Sequence, residues 1–423
     1  MKKFIALSIS FSIVLSMLMS GCALSDLPFF EYYTESEDTE SEQPVDDDEI
    51  VFELDTSDNN EAGTINVDTS ANGHSTCPLS DARIKNIVKN AEDTIAQYPE
   101  FSGTVLLSSG DKIIFEKSYG KTGVKNNVNQ NDTVYQIGSV TKQFTGTAIL
   151  QLAAQGKLKT TDTIDKYFPE YSKYDFTKRI TVEHLLEMTE GLYDYMSLIE
   201  GNEDVLKAYV KAAGKSEKDA KNFIVKTIFE GGVYVDAGTT YSYSNSAYYL
   251  LGMIIEQVSG ESYRDYLKNH FFKLADMKNT YFVGDGKDTC TGYSNNEMKY
   301  VSDKDTKELT AEGDYPYLFS AGSVASTVED INKWLNIVTS NELFTSGDRK
   351  TIEKSLMCYN YGWNTSDNVW HHSGRTYAYS SQVYADYRTD TKLVILTNIA
   401  FYDQLNQIAL GVYLPLLNEV KNK

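Results

Sequence analysis

Apolar residues at Ile84, Ile87, Val88, Ala91 and Ile95 recur every three or four positions in DARIKNIVKNAEDTIAQY, which predicts a helix with one buried face. The runs GTVLLSS and KIIFEKSYG follow. They are joined by Gly110-Asp111, a pair that suits a tight reversal, so together they predict a hairpin. The middle third keeps to helical spacing in TGTAILQLAAQGKL, TVEHLLEM, DAKNFIVKTIFE and NSAYYLLGMIIEQVSG. The last third returns to strands: SSQVYADYR and KLVILTNIA flank a turn at Thr389-Asp390, and QLNQIALGVYLPLLNEV closes the chain as a helix. Strands at both ends with helices between them predict an α/β (α+β) fold. Its antiparallel sheet is formed from both ends of the domain and flanked by helices, with a mainly helical inserted subdomain. The α/β part should take residues 80–140 and 318–421, and the helical part residues 141–317.

The N-terminal residues follow neither period. Lys2 and Lys3 precede an apolar run, Phe4 to Met19, that is short for a bilayer span and flanked like a secretory signal. The run ends in Met19-Ser20-Gly21-Cys22, which resembles the lipobox of bacterial lipoproteins. Residues 1–22 are therefore expected to be a lipoprotein signal peptide, with lipid attached at Cys22. Several acyl chains there would hold the protein at a membrane far better than one. Residues 23–79 hold 16 Asp and Glu and neither Lys nor Arg. Such a stretch cannot bury enough surface to offset its ordering entropy, and it reads as an acidic disordered tether. The expected location is the extracytoplasmic face of a membrane, lipid-anchored, with residues 80–421 as the working domain.

Charge and cysteines narrow the function. Of the formal charge of −21, the tether supplies −16 and Lys2 and Lys3 supply +2, which leaves −7 for the remainder. A mildly acidic domain argues against nucleic acid, which wants clustered positive charge. Beyond Cys22 only Cys77, Cys290 and Cys358 remain, enough for one internal disulfide at most. Five histidines without H-x-H or H-E-x-x-H spacing call for no metal, and nothing in the chain calls for a cofactor.

Three small motifs carry candidate chemistry, and each has a decoy. S-x-x-K occurs at Ser139 to Lys142 and at Ser118 to Lys121. After Ser139, the residues Val140, Phe144, Ala148, Ile149 and Leu152 form an apolar stripe, which puts Ser139 at a helix start and Lys142 one turn on, on the same face. A lysine in a partly buried place loses its proton more readily and can act as a base toward the serine. The N-terminal dipole and free N–H groups could steady an oxyanion. Ser118 precedes a polar stretch that cannot form such a helix. Y-S-N likewise occurs at Tyr243 to Asn245, before a helix, and at Tyr293 to Asn295, before a polar loop. His372-Ser373-Gly374 reads as the start of a strand, where Gly374 lets another backbone approach closely. Lys121 to Gly123 is a K-T-G decoy, placed ahead of the nucleophile.

Taken in order, Ser139-x-x-Lys142, Tyr243-x-Asn245 and His372-Ser373-Gly374 resemble the serine β-lactamase and penicillin-binding family. The similarity is to its branch of class C β-lactamases, D-alanyl-D-alanine carboxypeptidases and related esterases. Longer blocks share it, among them ITVEHLLEMTEGLYDY, SAGSVASTVEDINKWL and YNYGW. The resemblance implies a β-lactamase/transpeptidase-like fold and an acyl-enzyme mechanism. Ser139 would be the nucleophile, and Lys142 and Tyr243 would share the base and acid roles. The N–H groups of Ser139 and Arg375 would form the oxyanion hole. Asn245 would orient the substrate amide, and His372 would take the place of the lysine in K-T-G enzymes. Substrates would be small D-amino-acid peptides, esters or β-lactams, with peptidoglycan stem peptides among them. A module that binds such peptides without turnover is the alternative.

Three departures stand out. Met188-Thr189-Glu190-Gly191 replaces a common HTSG, and Arg375-Thr376-Tyr377-Ala378 follows the third motif where GGTPG is common. Lys273-Leu274-Ala275-Asp276-Met277 replaces a common PLGM. The first and third are expected to touch loop packing, and the second to narrow the site. In an extended strand Ser373 and Arg375 share a face. That would set Arg375 to grip a substrate carboxylate; the alternatives are a solvated arginine on an exposed strand, or one paired with an acid such as Glu190.

Overall fold

The computed structural model describes residues 79–122, 128–285, 290, 292–294, 299–300, 315–340, 343, 352, 359–366, 369–399 and 402–421. Cys22, Cys77, Cys358 and nearly all of residues 1–79 lie outside these. Leu79, the last residue assigned above to the tether, is buried in one cluster with Ile87, Ala91 and Leu416.

Helix α1 (Asp81–Ile95) starts where the Ser80 side chain accepts from the Arg83 N–H, and it buries Ile87, Ala91 and Ile95. Strands β1 (Gly103–Ser109) and β2 (Lys112–Tyr119) form the expected hairpin, with Gly110 at φ +57°. After β3 (Tyr135–Gln136) and a 3₁₀ turn at Gly138–Val140 comes α2 (Thr141–Ala154). The helical part follows with α3 (Val182–Leu186), α4 (Tyr195–Glu200), α5 (Glu203–Ala213), α6 (Glu217–Gly231), α7 (Asn245–Ser259) and α8 (Tyr263–Leu267). Then come β4 (Tyr281–Phe282), β5 (Tyr293–Ser294), β6 (Lys299–Tyr300), α9 (Tyr315–Gly322), β7 (Val324–Ser326) and α10 (Val328–Thr339). The last strands are β8 (Tyr359–Asn360), β9 (Trp363–Ser366), β10 (Val369–Thr376), β11 (Tyr379–Asp386) and β12 (Thr391–Thr397), and α11 (Tyr402–Lys421) ends the chain.

The main sheet runs β2-β1-β12-β11-β10-β9-β8, every pair antiparallel. Strands from the two ends of the domain meet at its centre, where Gly103 pairs with Thr397 and Ser109 with Thr391. Because side chains alternate along a strand, Val105 and Leu107 face α1 and α11, whereas Leu106 faces the helical part. Both faces are thus covered, and β1 and β12 are buried along their whole length. On the helical side Phe144 packs on Trp334, ring centroids 4.2 Å apart. Burying each such side chain contributes about 1.5–3 kcal/mol.

Two features differ from the sequence reading. Helix α2 is buried nearly all round, with Thr141, Lys142, Gln143, Thr145 and Thr147 enclosed as well as the apolar stripe. His372-Ser373-Gly374 lies in the interior of β10 instead of at its start, because pairing of Val369 to His371 with β9 extends the strand upstream.

Candidate active site

The turn bearing Ser139 lies on β10, and two glycines permit the approach. A Cβ on Gly138, whose φ is +51°, would fall 2.6 Å from the Arg375 nitrogen. One on Gly374 would fall 2.0 Å from the Ile137 carbonyl oxygen. The Ser381 hydroxyl donates to that same carbonyl at 2.9 Å. Among the described residues, β9 pairs with β10 only from Val369 to His371, so no strand flanks His372 to Thr376 on that side. The backbone of Arg375 therefore lies against the turn that bears Ser139, at an open strand edge.

Lys142 reaches Ser139 from the first turn of α2. Its Nζ donates to Ser139 Oγ at 3.0 Å, to Asn245 Oδ1 at 2.9 Å and to the Ala321 carbonyl at 2.8 Å. Burial pulls its pKa down to about 7, with the Asp194 carboxylate opposing. Losing its proton is thus far easier than for an ordinary lysine, and the neutral amine, still donating to Asn245 and Ala321, could turn a lone pair toward the serine hydroxyl. The Tyr243 ring lies 4.8 Å from Nζ and meets the Tyr359 ring edge-on, centroids 6.1 Å apart.

Tyr243 and Asn245 flank Ser244, which caps α7 by accepting from the Ala247 N–H at 3.0 Å. Asn245 is held at two points: its Oδ1 by Lys142 and its N–H by Asp194 Oδ2 at 2.6 Å. Asp194 also caps α4 through the Met196 N–H at 2.9 Å, so one carboxylate ties the starts of two helices together. Asp194 belongs to none of the three motifs. Its signal was an Asp before a helix start in GLYDYM, which is common at any cap.

His372 is buried with both ring nitrogens engaged. Nδ1 faces the Ser373 carbonyl, and Nε2 lies 2.9 Å from the Tyr359 hydroxyl. A carbonyl only accepts, so Nδ1 carries the proton and Tyr359 donates to Nε2. Burial, with the charge on Lys142 acting the same way, lowers its pKa to about 3. His372 is thus a neutral group where K-T-G enzymes hold a cation. Ser373 and Arg375 do share a face of β10, but it is the face of His371, whose ring stacks on Tyr384. Arg375 is exposed there, while Glu190 is buried.

The decoys sit elsewhere. Ser118 is in β2, bonded to Thr104 Oγ1 at 3.0 Å and Asn131 Oδ1 at 2.7 Å. Tyr293 opens the short strand β5, and Asn295 and Gly123 lie outside the described residues. Among the described residues no group of three or more His, Cys, Asp or Glu could hold a metal ion.

Residues 91–411, more than half of the chain and including all three motifs, match the Beta-lactamase family. The chain belongs to this family of serine hydrolases. Protein flp of Staphylococcus aureus (strain MW2) is 28% identical over 347 residues, which cover 75% of this chain and 64% of that protein. The chain thus spans just under two thirds of that relative's length. Two solved structures share the fold. The D-amino acid amidase of Ochrobactrum anthropi SV3 has a TM-score of 0.64 at 21% identity, covering 80% of this chain and 99% of that one. A penicillin binding protein from Bacillus halodurans has a TM-score of 0.60 at 23% identity, covering 75% and 98%.

The place of Tyr243 beside Lys142 gives a direct expectation. Tyr243→Phe should lower kcat about 10²-fold or more, the scale of losing a positioned proton carrier, while Tyr293→Phe should leave it unchanged. Equal effects in steady-state assays of the two variants would remove Tyr243 from proton transfer.

Proposed function

We propose that this chain is an acyl-enzyme hydrolase of D-amino-acid peptides, amides, esters or β-lactams, tethered by lipid on Cys22 to the outer face of a membrane. Stem peptides of the cell wall are the natural source of such groups. The observation that carries the reading is Lys142 Nζ, 3.0 Å from Ser139 Oγ and with its pKa brought to about 7. The names of two structural relatives, a D-amino acid amidase and a penicillin binding protein, agree with the substrate class.

In the proposed sequence, neutral Lys142 takes the Ser139 proton as Oγ bonds to the substrate carbonyl carbon. The carbonyl electron pair moves to oxygen, where the N–H groups of Ser139 and Arg375 receive it. As the oxyanion collapses, the bond to the leaving group breaks, and Tyr243 and Lys142 return the proton to it. Water then attacks the ester, loses its proton to the same pair, and frees the acid and Ser139.

Intact-mass measurement of the full-length protein taken from membranes tests both halves. The expected mass begins at a lipidated Cys22. Labelled penicillin should add one adduct per chain, and a D-amino-acid amide or short-chain ester should give released acid. A persistent adduct without product would leave a binding module. No adduct and no product would end the reading, and an unlipidated mature chain would end the anchor.

A further inference from the structure

Glu190 stands where the family often carries a serine, a change expected above to touch loop packing or to offer Arg375 an acid. The structure gives it more. Glu190 is 1% exposed, its Oε2 has no hydrogen-bond partner, and no cation among the described residues pairs with it. Its neighbours are the Ser244 hydroxyl, which bonds to its carboxyl group, and the Asp194 carboxylate. The segment that carries it is bound to residues 238–244, which lead into the Tyr243–Ser244–Asn245 turn, and to that turn itself at Ser244. Ser242 N–H donates to the Met188 carbonyl at 3.0 Å and Gly238 N–H to the Thr189 carbonyl at 2.8 Å. Ser244 N–H meets Met188 Sδ at 3.4 Å. Met188 takes φ +53° to reach this position, a conformation that costs a non-glycine residue energy.

A carboxylate buried without a cation is costly, and the cheaper state is the neutral acid. Burial, reinforced by Asp194 and opposed by the Ser244 bond, pushes Glu190 up to about 8. The groups that act on it are Ser244 in the turn before α7 and Asp194 at the cap of α4, and Asp194 in turn acts on Lys142 of α2. Ionising Glu190 would set two carboxylates side by side beneath that turn. The added negative charge would pull on the Ser244 hydroxyl and, through it, on the turn that carries Tyr243 and Asn245.

Building on the acyl-enzyme reading, we propose that Glu190 is a positioning residue. Held neutral against Ser244, it keeps the Tyr243–Ser244–Asn245 turn in its working form, and its ionisation beside Asp194 turns the site off. Without it, the alkaline limit of activity would belong to other groups.

The test compares wild type with Glu190→Gln, which keeps the shape but cannot ionise, and with Glu190→Ser. Between pH 7.5 and 9, wild-type kcat/KM on a D-amino-acid amide and an ester, and the rate of fluorescent-penicillin labelling, should fall about tenfold. Those of either variant should fall less than twofold. Thermal unfolding gives an independent reading. Because the folded state holds this proton above the usual carboxylate range, wild-type stability relative to Gln should decline as pH rises from about 4.5 to 8. An alkaline limb shared by all three proteins, or a Tm difference that is flat with pH, overturns the proposal. Loss of turnover and labelling in every protein, with the pH-dependent Tm difference intact, would sink the acyl-enzyme reading and the positioning role with it. The buried neutral acid would survive.

Discussion

Ser139→Ala should lower kcat/KM on any accepted substrate to background, a loss on the order of 10⁶-fold, and abolish covalent labelling by penicillin. Fold and melting temperature should change little, because the Ser139 side chain caps no helix and is only half-buried. Ser118→Ala makes the paired control. Ser118 lies on β2 and its hydroxyl is committed to Thr104 and Asn131. Labelling by fluorescent penicillin that persists in Ser139→Ala would move the nucleophile elsewhere.

Lys142→Ala should cost about 10³-fold in kcat, within the usual range for a general base, and should also remove a limb of the pH profile. On the proposed mechanism the neutral amine is the active form, so wild-type kcat/KM should climb about tenfold per unit below pH 7 and level off near pH 7, ahead of the alkaline fall expected from Glu190. The variant has no such rise. Stability has its own signature. Between about pH 7 and the ordinary lysine value of 10.5, the unfolded chain keeps a proton that the folded chain has released, so folding becomes more favourable as pH rises through this window. The Tm of wild type relative to Lys142→Ala should therefore rise from pH 7 to 10. Equal acid limbs in the two proteins would show that another group is the base.

The long elements were legible because their burial repeats along the chain. Ile87, Ala91 and Ile95 mark α1, and the continuous runs of β1 and β12 mark strands covered on both faces. Strands of two or three residues, such as β3, β4, β7 and β8, hold too few positions for any period to show. At the site, Ser139, Lys142, Tyr243, Asn245 and His372 stood out through motif and flanking helix or strand. Asp194, Glu190 and Tyr359 did not. Each acts on a partner distant in sequence: Asp194 on Asn245, Glu190 on Ser244, Tyr359 on the ring of His372. Such contacts leave no local pattern. His372 was read as a stand-in for a lysine, yet its charge state depends on burial, which no motif displays.

The pairing of β1 with β12 also governs the order in which the protein can come alive. Gly103 meets Thr397 across almost the whole domain, and the Ser139 turn rests on β10 and β11, which reach the sheet centre through β12. Closing so long a loop costs chain entropy that no local contact repays early, so topology of this kind folds slowly. A growing chain that already holds Ser139, Lys142 and Tyr243 still lacks the strand against which the nucleophile is set. On the proposed function, activity is therefore expected only after the last strand has been made and inserted, and a nascent or C-terminally clipped chain is expected to be inert although it holds Ser139.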